Sequence, residues 1–288
     1  ALHRSRHSQR GCRRRREAHA SRAEREPMSQ LSGLYAIWLR EVKVFFREYS
    51  RLVGSVLTPL LWLVVVGKGI GASIVDDESF GGVGYDTFIF PGILCMTVLF
   101  QSVFYGLYIV WDRKIDFLKE VLAAPLNRST IFLGKVLGGV TDSMVQVTII
   151  VILGYFIFPE ATYTIHSLAV VYLFMFLLAV TMTSIGLIIG SRMESPEGFS
   201  LVVSLVVFPM YFLSGALFLK KNLVNEAPYL YWATVANPVS YAVDAIRYTL
   251  LPVEAFNEFG LALDLAVLGG FCLALLGVGT LAFRTMRL

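Results

Sequence analysis

Few residues in this sequence have the types and spacing that chemistry needs. Asp142 stands in the apolar run GGVTDSMVQVT (residues 138–148), with Thr141, Ser143, Gln146 and Thr148 around it. A carboxylate inside such a run is costly, which makes it a functional candidate, facing the protein interior or a wet path. The same side chains, beside Gly138 and Gly139, equally suit interhelical packing with polar groups as glue. No His or second acid stands close enough to form a catalytic or proton-relay pair. The run Gly67-Lys68-Gly69-Ile70-Gly71 lacks the GxxxxGK[ST] spacing that cradles a nucleotide phosphate, and it follows no strand. Cys12, Cys95 and Cys272 are scattered, and three of the four His fall in the first 19 residues, so neither a disulfide framework nor a metal site is indicated. The expectation is a chain that is not an enzyme and holds no cofactor of its own.

The elements that would carry these residues are apolar helices. The chain is 56% hydrophobic and only 16% charged, with a mean hydropathy of +0.66, against about 25% charged residues in soluble domains. The fold class expected is an all-α polytopic membrane protein with six transmembrane helices, at about 52–70, 88–110, 131–158, 168–190, 199–219 and 261–283. A weaker apolar region at 227–251 is interrupted by Pro228, Pro238, Asp244 and Arg247, and reads as re-entrant half-helices near the membrane surface. Asp244 and Arg247, three apart on one helical face, are placed to pair.

Short-loop charge sets the orientation. Arg40, Lys43, Arg47 and Arg51 precede the first span, Arg113, Lys114, Lys119 and Arg128 follow the second, and Arg284 and Arg287 follow the last. The other side carries Asp76, Asp77, Glu78, Asp86, Glu160, Glu226, Glu254 and Glu258. Both termini are therefore expected in the cytoplasm. The net charge of +4 comes from residues 1–27, which hold nine Arg against three Glu. That tail reads as a nucleic-acid arm, a lipid anchor, a transit peptide, or sequence upstream of a natural start at Met28, the last being the simplest. No nucleic-acid partner is expected for the rest. Residues 28–51 form an amphipathic interfacial helix, with Leu34, Ile37, Trp38, Val42, Phe45 and Phe46 on one face and Arg40, Glu41, Lys43, Arg47 and Glu48 on much of the other. Residues 112–124 read as a short charged helix with an apolar face, halted before Pro125 and suited to docking in a partner's groove.

Three segments resemble one family. DFLKEVLAAPLNRSTIFLGKVLGG (residues 116–139) is similar to the cytoplasmic loop of ABC-2 type permeases. Asn237-Pro238-Val239-Ser240-Tyr241, with Asp244 and Arg247, resembles the segment before that family's last span, and residues 208–215 resemble its fifth span. The drug- and nodulation-factor-exporter permeases, the daunorubicin-resistance type included, look nearest. The resemblance implies a homodimer in the inner membrane with two separate ABC ATPase subunits, which would hold ATP and Mg. It implies a coupling helix carrying Asp116, Phe117, Leu118, Lys119, Glu120, Val121 and Leu122, with Pro125 and Arg128 behind it. Arg40, Glu41 and Arg47 would lie on a connecting helix that also touches the ATPase. Cargo, amphipathic drug-like, lipid-linked or glycan, would leave the cytoplasm by alternating access along aromatic faces at Phe100, Phe104, Tyr105, Phe208, Tyr211 and Phe212. A secondary transporter or channel is the rival reading. The former usually breaks spans in both halves, and here the broken region stands near the C-terminus.

Overall fold

The structure is a computed structural model and describes residues 29–73, 82–117, 121, 124–219, 223–251, 253, 256 and 258–286. The expectations for the tail at 1–27 and for Leu118, Lys119, Glu120 and Leu122 lie outside the described residues.

Helix α1 (Gln30–Arg47) opens on Ser29, whose hydroxyl accepts the Ser32 N–H at 3.1 Å. Helix α2 (Tyr49–Trp62) contains Pro59 and runs on through a π-helical stretch, Leu63–Lys68, and a last turn, Gly69–Gly71. Helices α3 (Tyr85–Phe104) and α4 (Leu107–Lys114) are one rod with a break at Tyr105–Gly106, where Gly106 bonds back to Val103 rather than one turn earlier. The long α5 (Arg128–Ile157) and α6 (Ile165–Arg192) follow, then α7 (Pro196–Phe212), the single turn α8 (Leu223–Glu226), the pair α9 (Pro228–Val235) and α10 (Pro238–Leu250), and α11 (Leu261–Arg284).

Five of these rods are long and apolar enough to cross a membrane: Val53–Gly71, Tyr85–Lys114, Arg128–Ile157, Ile165–Arg192 and Leu261–Arg284. The segment expected as the fifth span is helical for 17 residues, about 25 Å at 1.5 Å per residue. It stops at Phe212 because the chain turns there. Ser214 donates to the Tyr211 carbonyl, and Gly215 takes φ +73°, a left-handed conformation open to glycine.

Helix α3 is the hub, buried along nearly its whole length against α5, α6, α7 and α10. By contrast α2 and α11 lie at the rim and turn Val53, Leu57, Leu61, Leu273 and Leu281 outward. Apolar faces of that extent are incompatible with a water-facing monomer and suit a hydrocarbon solvent. At the α3–α4 break the backbones of Gly106, Gly186 and Gly190 approach so closely that a Cβ at any of the three would overlap a main-chain carbonyl. Gly186 and Gly190 have the small-xxx-small spacing of tightly crossed membrane helices.

Candidate functional site

The bundle has a basic end, where α4, α6 and α11 finish and α5 begins, and an opposite end built around α8 to α10. Each has its own polar assembly, and an apolar cleft lies between.

At the basic end Lys135, on the first turns of α5, is only 1% exposed. Its ammonium donates to Asp112 Oδ2 at 2.6 Å and to Glu41 Oε1 at 3.0 Å. Arg40 closes the set, donating to Glu41 Oε1 at 2.7 Å and to Asp112 Oδ1 at 3.1 Å, while its guanidinium lies 4.0 Å from the centre of the Phe117 ring. Two cations and two carboxylates from α1, α4 and α5 thus neutralise one another, with Lys135, Glu41 and Asp112 buried and the Arg40 side chain 34% exposed. Burial raises the Glu41 carboxyl, but the Lys135 and Arg40 charges and their hydrogen bonds outweigh it and hold the group below the ordinary carboxylate range. The approach depends on Gly138: a Cβ there would stand 2.6 Å from the Tyr105 hydroxyl and 2.7 Å from Glu41 Cβ. Trp38 seats the same face of α1 by donating to Thr141 Oγ1 at 3.0 Å.

This corrects the expected face of α1. Glu41 belongs to the buried side, and the helix packs along α5 rather than keeping all its charges outward. Asp112 to Lys114 continue α4, and the chain turns at Asp116, whose φ of +58° is left-handed. Residues 112–114 therefore belong to α4, and the turn at Asp116 separates them from Phe117. Arg128 donates to the carbonyls of Arg284 and Met286 at 3.1 and 2.6 Å and so caps α11, while Arg113 does the same for α6 through Ser191 and Met193. Arg47 is exposed on the last turn of α1, Val121 packs partly buried against the core, and Pro125 is exposed.

At the opposite end the Asn-Pro motif ties together broken chain. Asn237 caps α10 through Val239 N–H and donates to the Met210 carbonyl of α7. Tyr241 donates to the Val235 carbonyl at 2.7 Å. Arg247 is buried, lies 3.9 Å from the Phe88 ring centre, and donates to the carbonyls of Gly215 and Ala216. Asp244 accepts from the N–H groups of Glu258 and Phe259. Both residues of the expected Asp244–Arg247 pair thus also bond backbone groups, Arg247 because the turn after α7 leaves carbonyls that need a donor.

Between the two ends a cleft of about 430 Å³ opens among α2, α3, α5 and α7. Phe100, Phe104 and Phe208 line it, with Phe100 and Phe208 edge to face at 5.3 Å. Tyr211 lies behind, 6.3 Å from Trp62, and Phe212 stacks on Phe208 at 6.5 Å. Five of the six expected path residues therefore gather here. Tyr105 does not: it is buried beside Glu41 and Gly138. Asp142 is buried in α5 one turn from Gln146.

The sequence profile of the ABC-2 type transporter family matches residues 32–251, which take in the basic network, the aromatic cleft and the Asn-Pro motif. The chain belongs to that family. It is 29% identical over 249 residues to the inner membrane transport permease YadH of Escherichia coli K12, covering 84% of this chain and 91% of that one. It is 27% identical to the putative transport permease ycf38 of Cyanophora paradoxa, over 79% of each chain. It is 25% identical to nodulation protein J of Neorhizobium galegae, over 77% and 83%. This ABC-2 permease is a multi-pass membrane transport subunit and not a catalyst.

Sequence reading missed Lys135 and Asp112 as partners. In the sequence Lys135 is one more basic residue just beyond Arg128, near the start of the third expected span. The available signal was a lysine placed past the expected start of an apolar helix, where it requires a buried acid.

Proposed function

We propose that this permease is the membrane-spanning half of an ATP-driven exporter in the inner membrane, with both termini in the cytoplasm. Two copies and two separate ABC ATPase subunits would form the working unit, with ATP and Mg held by the ATPases. In this reading the basic end is cytoplasmic, α7 is the fifth of six spans, and α9 and α10 are re-entrant half-helices. The segment around Phe117–Val121 is the coupling helix and α1 the connecting helix.

One observation carries the reading: the Arg40–Glu41–Asp112–Lys135 network. It fastens the helix expected to touch the ATPase to the end of the second span and the start of the third. A push on α1 or on the loop beyond Phe117 is thus delivered to two spans as a rigid-body movement. Such a bistable domain shift can alternate access to a cleft. Cargo would pass between the two copies along the aromatic cleft, which suits amphipathic drug-like or lipid-linked molecules, with glycans also within the reading.

The test is co-purification from Met28 onward with the ATPase encoded beside it, followed by ATPase assay in lipid. A two-plus-two complex with vanadate-sensitive activity supports the proposal. Absence of any bound ATPase, with intact permease in the membrane, overturns it in favour of an ATP-independent transporter or channel.

A further inference from the structure

The cleft between α2, α3, α5 and α7 is walled by rings but has an amide floor. Gln146 of α5 is 0% exposed, lines the cleft, and neither its Nε2 nor its Oε1 finds a hydrogen-bond partner among the described residues. Gln101 of α3 lines the same cleft, and its buried Nε2 is likewise unpartnered. Buried amides are almost always satisfied, because each lost partner leaves a desolvated dipole. Three unfilled positions, two donors and one acceptor, thus lie buried on two side chains that line one space, and they specify what should fill it. Among the described residues no Asp, Glu, Lys or Arg lines this cleft, so a charged group would enter it unpaired and at high cost. The second cleft, walled by Arg40, Glu48, Trp111 and Asp112, shares Gln101 and Phe104 with the first, so charge is available only towards the basic end.

We propose that Gln101 and Gln146 are specificity residues for an uncharged, ring-bearing cargo that presents carbonyl-type acceptors and one donor to the two amides, its rings lying on Phe100 and Phe208. The inference rests on the exporter reading for the direction of transport, though not for binding, which needs neither ATP nor an ATPase. It excludes the bare hydrocarbon chain of a lipid as the preferred occupant, since that would leave all three amide positions unfilled.

The test uses the full chain in nanodiscs, without ATPase, and two neutral ring dyes. Nile red carries carbonyl and ring-nitrogen acceptors for the two amide N–H groups and no donor, so it probes the acceptor half of the match; diphenylhexatriene carries neither. Saturable quenching of tryptophan, with Trp62 in the cleft wall, reports binding. Gln146→Leu and Gln101→Leu should each weaken Nile red about tenfold, the effect of one lost hydrogen bond to a buried partner, and leave diphenylhexatriene unchanged. Thermal stability should hold or rise, because Leu removes an unsatisfied amide without opening a cavity; a purely packing role predicts a fall instead. Equal weakening of both dyes, unchanged Nile red affinity, or a melting temperature that falls with each substitution overturns the proposal. Protection of the cleft by a second copy, seen as dye binding only at dilutions that dissociate dimers, also overturns it. None of these outcomes bears on whether an ATPase co-purifies, so the two readings fail separately.

Discussion

Lys135 is the residue on which the basic end depends, because removing one member of a buried, balanced network strands the others. Lys135→Met leaves Glu41 and Asp112 facing each other with Arg40 alone to offset them. A loss of about 3–5 kcal/mol is expected, read as a lowered unfolding temperature in detergent. Adding Asp112→Leu should recover much of it, since Arg40 and Glu41 remain paired. The same network gives an acid limit. The Glu41 carboxyl is held below its ordinary range, so its contribution is complete above the unfolded value of about 4.3. It is lost as pH falls through the lower folded value, and thermal melts across that window should show the decline flatten in Glu41→Gln. Neither effect was legible in the sequence. Lys135 finds its acids 94 and 23 positions away, and only the docking of α1 on α5 brings them together. Glu41 looked solvent-facing because the charges around it alternate at helical spacing, a pattern that cannot tell which charge is swallowed by a neighbour.

The rods themselves were legible, because continuous apolar runs bounded by charge leave little choice of structure in lipid. Their endings were less so. Hydropathy runs on past Phe212 to Leu219, yet the helix stops, and what stops it is Ser214, Gly215 and the grip of Arg247 on two carbonyls. Arg247→Met should therefore loosen this turn without disturbing α10. Proteolysis or hydrogen exchange near residues 213–219 would show faster opening, and unchanged protection there would contradict the assignment. Arg128, expected beside the coupling helix, also closes the last helix through its bonds. Arg128→Ala is expected to fray the end of α11, costing about 1 kcal/mol on the scale of a lost cap, measurable as increased exchange at residues 282–286. The crossing at Gly106 and Gly190 is stricter. Gly190→Ala would force α6 off the α3–α4 rod, and the expected outcome is loss of folded protein in the membrane, seen by size-exclusion of detergent extracts.

Across the whole molecule, the two polar assemblies sit at opposite ends with the aromatic cleft between them. The basic end joins α1, α4 and α5, and the opposite end joins α7, α9, α10 and the start of α11. Between them run α3 and α5, each touching both the aromatic cleft and the basic network through neighbouring residues. The exporter reading predicts sidedness for this arrangement. A cysteine at Glu160 should react with a membrane-impermeant maleimide from outside the cell, and one at Glu194 should react only after permeabilisation. The reverse pattern would invert the assignment of the basic end to the cytoplasm.

The π-helical stretch Leu63–Lys68 has a further consequence, for where the first span can lose a residue. A π turn holds one residue more than the α-helix over the same rise and absorbs it locally, so both flanks keep their phase. Here the flanks have fixed duties: Trp62 faces the cleft and Lys68 reaches Asp86 at 2.7 Å. Removing one residue between Val64 and Val66 should restore α-helix and leave both contacts in place. Removing one between Ser55 and Leu60 should swing the wall residues about 100° out of line. The first span should therefore tolerate deletion at that one place and not elsewhere along α2.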